Sequence, residues 1–115
     1  MDDASQWHHG YSHLGQGGSG ALPDRFALGQ NVPNPAFAAT TIRFALPTPA
    51  HVKLEIFDLL GRRLTTLTNG NWVAGYHALS WDGRDARGTR AGPGIYLCRM
   101  SAGAFHASRK MVVML

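Results

Sequence analysis

The chain has 115 residues, and its eleven Lys and Arg outnumber its seven Asp and Glu, which gives a formal net charge of +4. This length suits one domain, the lone Cys98 excludes an internal disulfide, and no apolar run reaches the roughly 18 residues of a transmembrane helix. All eleven basic residues but only five of the acidic ones lie in residues 24–115, so this part favours anionic partners. The N-terminus lacks the basic and apolar regions of a secretory signal, so export would depend on a signal peptide further upstream.

Residues 1–23 are expected to form a flexible tail or the remnant of a linker, and residues 24–115 the folded domain. Residues 1–23 show no sustained hydrophobic period, and residues 16–20 (Gln-Gly-Gly-Ser-Gly) have the composition of a linker. His8, His9 and His13 suggest a metal site, because His9 and His13 would share a helix face. The glycines around them oppose a helix, and the Glu of a zincin motif is absent, so no metal is predicted.

The remaining residues read as short strands separated by turns. An opening segment, Phe26 to Pro35, contains two prolines and is therefore expected at a sheet edge. Apolar and polar residues alternate with the period of a half-buried strand in residues 40–47 and 51–58. Four more segments between turn signals are also expected to be strands, which makes six further segments in all: 40–47, 51–58, 63–67, 75–81, 95–100 and 105–115. Turns are predicted by the composition at Leu60-Gly61-Arg62, Asn69-Gly70-Asn71 and Ala102-Gly103-Ala104. The first of these turns makes a hairpin of the strands on either side of it.

These spacings predict an all-β protein, an antiparallel β-sandwich of six to eight strands. Its core is expected to contain seven residues that alternate inward along their strands: Ile42, Phe44, Leu54, Ile56, Leu79, Trp81 and Tyr96. Tyr96 precedes Cys98 by two residues, the spacing of the tyrosine corner in immunoglobulin domains, where the hydroxyl bonds to nearby backbone. Cys98 lies in an apolar strand and is interpreted as a core residue rather than a nucleophile.

A loop rich in Gly, Asp and Arg joins the fourth and fifth of these six segments. Asp82 and Asp85 suggest calcium, but the loop lacks the alternating oxygen ligands and the later Glu of an EF-hand, and Arg84, Arg87 and Arg90 would repel a cation. The same arginines could contact phosphates, yet no stacking aromatics are interleaved with them, so nucleic acid is not predicted. No nucleophile, base and orienting group can be assembled from the chain, so no catalytic residue is predicted.

Seven short motifs then point to a known family. They are NVPNP (31–35), TTIRFALP (40–47), VKLEIFDLLGR (52–62), GYH (75–77), WDGRD (81–85), GIY (94–96) and RKM (109–111). In this order they resemble the C-terminal sorting domain of the type IX (Por) secretion system, an immunoglobulin-like sandwich related in pattern to the Ig-like domain of the flagellar hook-capping protein. The chain departs from that pattern at residues 36–39 (Ala-Phe-Ala-Ala), where Pro-Phe-Asn-Pro is usual, and at Cys98, where an aromatic residue is common.

The resemblance implies an immunoglobulin-like fold and structural roles for the residues that define the motifs: Pro33, Asn34, Pro35, Gly61, Trp81, Asp82, Gly83, Asp85, Gly94 and Tyr96. It also implies that the domain is a non-catalytic sorting signal with no cofactor and no transmembrane segment. In Bacteroidota-like bacteria an outer-membrane translocon and its sorting machinery recognise such domains. The domains pass through the periplasm to the cell surface. At the surface they are commonly removed and exchanged for attachment to anionic lipopolysaccharide.

The sorting signal is expected in the last strand, at Lys110, Met111, Val112 and Val113. A strand at the end of the chain would offer an edge with unpaired backbone groups to which a receptor strand could add. Lys110 places a charge next to the apolar run, which suits an anionic partner.

Two other functions stay open. One is a structural assembly module like the hook-capping Ig-like domain, which would not need to end the chain as the last strand does here. The other is a carbohydrate-binding sandwich appended to an extracellular enzyme. That function would need exposed aromatic residues on one face, and the candidates are Phe57, Trp72 and Tyr76.

Overall fold

Two antiparallel sheets form the domain in the computed structural model, which describes residues 21–114. The strands of this part of the chain are β1 (Ala27–Leu28), β2 (Thr40–Leu46), β3 (Ala50–Asp58), β4 (Arg63–Trp72), β5 (Gly75–Trp81), β6 (Gly94–Ala102) and β7 (Phe105–Val113). One sheet has the order β1-β2-β5 and the other the order β4-β3-β6-β7. The predicted antiparallel β-sandwich is therefore confirmed, with the opening segment at a sheet edge.

Most of the predicted tail, including His8, His9 and His13, lies outside the described residues, and so does Leu115. Between residues 21 and 114 the structure has no helix that is long and apolar enough to cross a membrane.

The core lies between the two sheets and follows from the alternation of apolar residues along the strands. Its largest buried side chains are Ile42, Phe44, Leu46, Val52, Leu54, Ile56, Trp81, Met100 and Met111. Five of the seven predicted core residues are among these, whereas Leu79 and Tyr96 are half-buried and pack against the core from its margin. Full burial of a large apolar side chain contributes roughly 1.5–3 kcal/mol, so these residues dominate the stability of the fold.

The hairpin of β3 and β4 turns at Gly61, as predicted. Gly61 has a φ of 83°, which glycine adopts without a steric penalty. The Asp58 carboxylate accepts hydrogen bonds of 2.9 Å from the backbone N–H groups of Leu60 and Arg62 and from Arg62 Nε. The backbone hydrogen bond from Arg62 is the main reason that the pKa of Asp58 is lowered, and the ionised carboxylate fastens the turn.

The turn predicted at residues 69–71 is wrong, because β4 continues through them to Trp72. Gly70 lacks the positive φ that a two-residue hairpin turn of this sequence would use. Instead, Asn71 lies opposite His51 on β3 and Asn69 lies opposite Lys53. The ring nitrogens of His51 are 2.7 Å from Asn69 Oδ1 and 3.2 Å from Asn71 Oδ1. The chain reverses only after Trp72, where β3 no longer supplies a partner.

One side of the sandwich is closed by contacts between β1 and β7, which are edge strands of different sheets. Phe26 stacks on Phe105 with ring centroids 5.6 Å apart. Arg109 Nε donates a hydrogen bond of 2.7 Å to the carbonyl of Leu28. These contacts bring the last strand next to the segment that follows β1.

Candidate recognition surface

The four predicted sorting residues occupy the second half of β7, where alternation divides them between the core and the surface. Met111 is fully buried and Val113 is 7% exposed. Lys110 is exposed and Val112 is half-buried, and both point away from the core. In the folded domain a partner can therefore reach the side chains of Lys110 and Val112 but not those of Met111 and Val113.

Residues 30–36, which we call the clasp, occupy the outer edge of β7 beside these residues. The Ala36 N–H donates a hydrogen bond of 2.8 Å to the carbonyl of Val112, and the Met114 N–H donates one of 2.8 Å to the carbonyl of Ala36. Ala36 and Val113 form a parallel bridge. The clasp thus pairs with β7 as a short additional strand would.

Side chains of the clasp complete this contact. Asn34 Oδ1 accepts a hydrogen bond of 2.9 Å from the Val112 N–H. Gln30 Nε2 donates one of 2.8 Å to the carbonyl of Lys110. The prediction of an unpaired edge is therefore wrong here, because the clasp binds the carbonyl of Lys110 and both the N–H and the carbonyl of Val112.

A buried asparagine fixes the shape of the clasp. Asn31 Nδ2 donates to the carbonyl of Pro33 and to Thr40 Oγ1, each at 3.0 Å, and the Thr40 hydroxyl donates to the same carbonyl at 2.8 Å. Asn31 and Thr40 are each only 2% exposed. Sequence reasoning missed both as site residues, because their meeting depends on how the clasp folds over β2.

Replacing Asn31 with alanine should lower the free energy of unfolding by about 1–3 kcal/mol, because it removes hydrogen bonds to buried polar partners. Chemical denaturation of the parent and variant measures the difference. Asn69→Ala is the control, since the Asn69 side chain is exposed on β4 and its loss should change the stability by less than about 0.5 kcal/mol. Equal effects of the two changes would contradict the role of Asn31.

Two aromatic residues anchor the loop between β5 and β6. Trp81 is buried and donates from Nε1 to the carbonyl of Arg84 at 2.9 Å. The Tyr96 hydroxyl donates to the carbonyl of Gly92 at 2.6 Å, a hydroxyl-to-backbone bond of the kind found in a tyrosine corner. The two rings meet edge-on with centroids 6.1 Å apart, so both ends of the loop are tied to one point of the core.

The two carboxylates of this loop bind the loop's own backbone. Asp82 Oδ1 accepts a hydrogen bond of 3.0 Å from the Arg84 N–H, and Asp85 Oδ1 accepts hydrogen bonds of 2.9 Å from the N–H groups of Arg87 and Thr89. Such bonds are typical of Asx turns and give both residues a structural role. Nowhere in residues 21–114 do three or more His, Cys, Asp or Glu side chains come together in a group that could hold a metal ion.

A family model of the FlgD Ig-like domain matches residues 31–104, from the clasp to the turn after β6. The chain belongs to the FlgD Ig-like domain family. This match confirms the predicted relation to the hook-capping protein and leaves β1 and β7 outside the matched residues. A search of curated proteins found no match.

Solved structures share the fold of this FlgD Ig-like domain. Dimeric latent PorU from Porphyromonas gingivalis superposes with a TM-score of 0.63 at 23% identity, over 83% of this chain and 10% of PorU. PorZ, an essential surface component of the type-IX secretion system of the same bacterium, gives a TM-score of 0.54 at 22% identity, over 80% of this chain and 12% of PorZ. FlgD from Xanthomonas campestris gives 0.54 at 24% identity, over 87% of this chain and 73% of FlgD. The chain therefore spans about a tenth of the length of PorU and PorZ.

Cys98 of this FlgD Ig-like domain is a core residue. Burial raises the pKa of its thiol to about 12. The thiol is therefore protonated at neutral pH, whereas a nucleophilic cysteine needs a depressed pKa.

The three aromatic candidates for carbohydrate binding do not share an exposed face. Trp72 packs edge-on against Phe44 with ring centroids 5.3 Å apart, and Tyr76 also packs against the core. Phe57 lies on the outer face of β3, with Arg99 Cζ 5.0 Å from the centre of its ring. These three residues therefore do not form an aromatic platform on which sugar rings could stack.

Positive charge is not concentrated in the groove between the loop and the start of β4. This groove has a volume of about 570 Å³ and is lined by Arg62, Arg63 and Arg87, but Asp58 and Asp85 line it as well. The nearly balanced charges give it no strong preference for an anion, so binding of anionic partners stays a prediction.

Proposed function

We propose that this FlgD Ig-like domain is a non-catalytic sorting and surface-anchoring domain of a protein exported by a type IX secretion system. One observation carries the proposal: the clasp and the end of β7, which hold the first and last of the motifs resembling sorting domains, form one hydrogen-bonded unit. The bonds from Gln30 to Lys110 and from Val112 to Asn34 join them. A receptor would therefore meet a preorganised surface at the end of the domain, which lowers the entropic cost of binding.

The structural neighbours are consistent with this role. PorU and PorZ carry the same fold as a small part of much longer chains, and PorZ is a surface component of type-IX secretion. By analogy, the domain acts at the cell surface after passage through the periplasm. Its expected partners are the outer-membrane translocon and sorting machinery, and then anionic lipopolysaccharide, which the excess of basic residues suits.

A second candidate function is a structural assembly module like that of FlgD. The family model favours it, because the match covers residues 31–104 without β7. The two functions differ in what they require of the last strand. A sorting domain needs the accessible residues of β7 for export, whereas an assembly module needs β7 only to complete its sheet.

An export assay tests the proposal. A reporter with a signal peptide, fused ahead of the full chain, should reach the cell surface of a bacterium with a type IX system. Lys110→Ala should leave most of the reporter in the periplasm, because it removes an exposed charge of the predicted signal without touching the core. Lys53→Ala, on β3 of the same sheet and separated from β7 by β6, is the matched control and should be exported normally.

Removal of residues 110–115 should also block export, but it strips buried Met111 and Val113 from the core. Cooperative melting of each variant must therefore be measured alongside export. If the intact fusion stays in the periplasm, or if a folded variant without residues 110–115 still reaches the surface, the sorting function is wrong and the assembly module takes its place.

A further inference from the structure

Two rows of side chains cross the outer face of the four-stranded sheet next to the predicted sorting residues. Cross-strand register gives these rows as Phe57, Leu97 and Lys110, and as Ile95 and Val112. Directly paired residues of neighbouring strands lie on one face of a sheet. The alternate residues Ile56, Cys98 and Met111 are buried in the core, so both rows point to solvent.

Four residues of these rows form an apolar surface, which we call the outer patch: Phe57, Ile95, Leu97 and Val112. Ile95 is 39% exposed, and the other three are half-buried. The exposed face of an antiparallel sheet is commonly polar, so this run of apolar residues is a candidate contact surface.

Basic side chains border the outer patch. Arg99 lies over Phe57, Arg63 is the cross-strand partner of Phe57, and Lys110 pairs with Leu97. The carboxylates nearby are engaged by basic groups, including Arg63 itself, so the positive charge that borders the patch rests mainly on Arg99 and Lys110. Glu55 is 3.3 Å from Arg63 and 3.8 Å from Lys53, and Asp58 is 2.9 Å from Arg62.

We infer that the outer patch is the docking surface through which the sorting machinery reads this domain. Its partner is a protein surface that places acidic side chains beside aliphatic ones. This inference rests on the proposed function. The clasp closes the edge of β7 at Lys110 and Val112, and the core holds Met111 and Val113, so the outer face is where a partner reaches this run.

The geometry favours a protein over a membrane. Strands lie about 4.8 Å apart and same-face residues about 7 Å apart along a strand, so the outer patch is roughly 10 Å across. The patch side chains are half-buried or, for Ile95, 39% exposed, so they offer little to insert between lipids, whereas membrane-binding segments bury an apolar face several ångströms deep. The small area suits a weak, transient contact, as needed for a domain that is recognised and then released.

The test uses the purified full chain, labelled with ¹⁵N, and a synthetic peptide of alternating Leu and Glu. The peptide should shift the amide resonances of the outer patch, and a peptide of alternating Leu and Lys should not. The double change Ile95→Thr and Leu97→Thr should weaken binding about tenfold or more, a loss of about 1.4 kcal/mol. The matched control is Leu22→Thr with Val73→Thr, at residues that are 55% and 69% exposed outside the patch, and it should bind as the parent does.

Threonine keeps the strand propensity at residues 95 and 97, and cooperative melting checks that the double variant is folded. The docking surface is wrong if both peptides bind equally or if neither shifts the resonances of the patch. It is also wrong if the domain co-sediments with phosphatidylglycerol vesicles at concentrations at which it does not bind the acidic peptide.

The export assay separates this inference from the proposed function. If the intact fusion is exported and the folded Ile95→Thr, Leu97→Thr fusion is not, both hold. If both fusions are exported, the docking surface is wrong and the sorting function stands. If the intact fusion is not exported, the sorting function is wrong, and the peptide titration alone decides whether the patch binds acidic protein surfaces.

Discussion

Replacing Trp81 with alanine should lower the free energy of unfolding by about 3–5 kcal/mol, the range for truncating a large buried aromatic residue. Trp81 is 1% exposed, packs edge-on against Tyr96 and donates to the carbonyl of Arg84. The change therefore opens a cavity and also frees one end of the loop between β5 and β6. Urea denaturation of parent and variant measures the loss.

Trp81→Phe is the companion change. It retains an aromatic ring in the core but removes the indole N–H, so it should cost less than the alanine variant. A Trp81→Ala protein as stable as the parent would show that the core does not depend on this residue.

Replacing Gly83 with alanine should cost about 2–5 kcal/mol. Gly83 has a φ of 79°, which costs an L-residue about 1–2 kcal/mol. A Cβ built there would lie 2.7 Å from the carbonyl oxygen of Ala38, and overpacking against such a neighbour costs about 1–3 kcal/mol more. The Ala38 carbonyl belongs to the backbone, so it cannot rotate aside as a side chain could.

Gly88→Ala separates these two costs. Gly88 has a φ of 87°, but a Cβ there would meet no atom within 4 Å. Its loss should therefore be about 1–2 kcal/mol, from the backbone conformation alone. If the Gly83 variant melts at the same temperature as the Gly88 variant, the close approach of residues 81–85 to the chain after the clasp is not a constraint.

The strands and the first hairpin could be predicted because their signals are local. Side chains alternate along a strand whatever the strand pairs with, so Ile42, Phe44, Leu54 and Ile56 are identified as core residues by their spacing. Gly61 marks its turn because the need for a positive φ is likewise a local property of the chain. Residues 69–71 carry an equally good turn composition, but the nine residues of β3 provide partners for them, and pairing along the whole strand outweighs the preference of one tripeptide.

The candidate site illustrates the opposite case. Alternation and motif order indicate from sequence alone which residues of β7 belong to the predicted signal. Only the tertiary structure decides what a partner can reach, because Asn34 and Val112 are separated by 78 residues along the chain and no local pattern encodes their bond. The same holds for the outer patch, whose members come from three strands and become neighbours through the pairing of β3, β6 and β7. Periodicity in the sequence thus determines to which face of its own strand each side chain points. Strand order and the folding of the clasp determine which of those side chains and strand edges remain accessible to a partner, because both depend on contacts between distant parts of the chain.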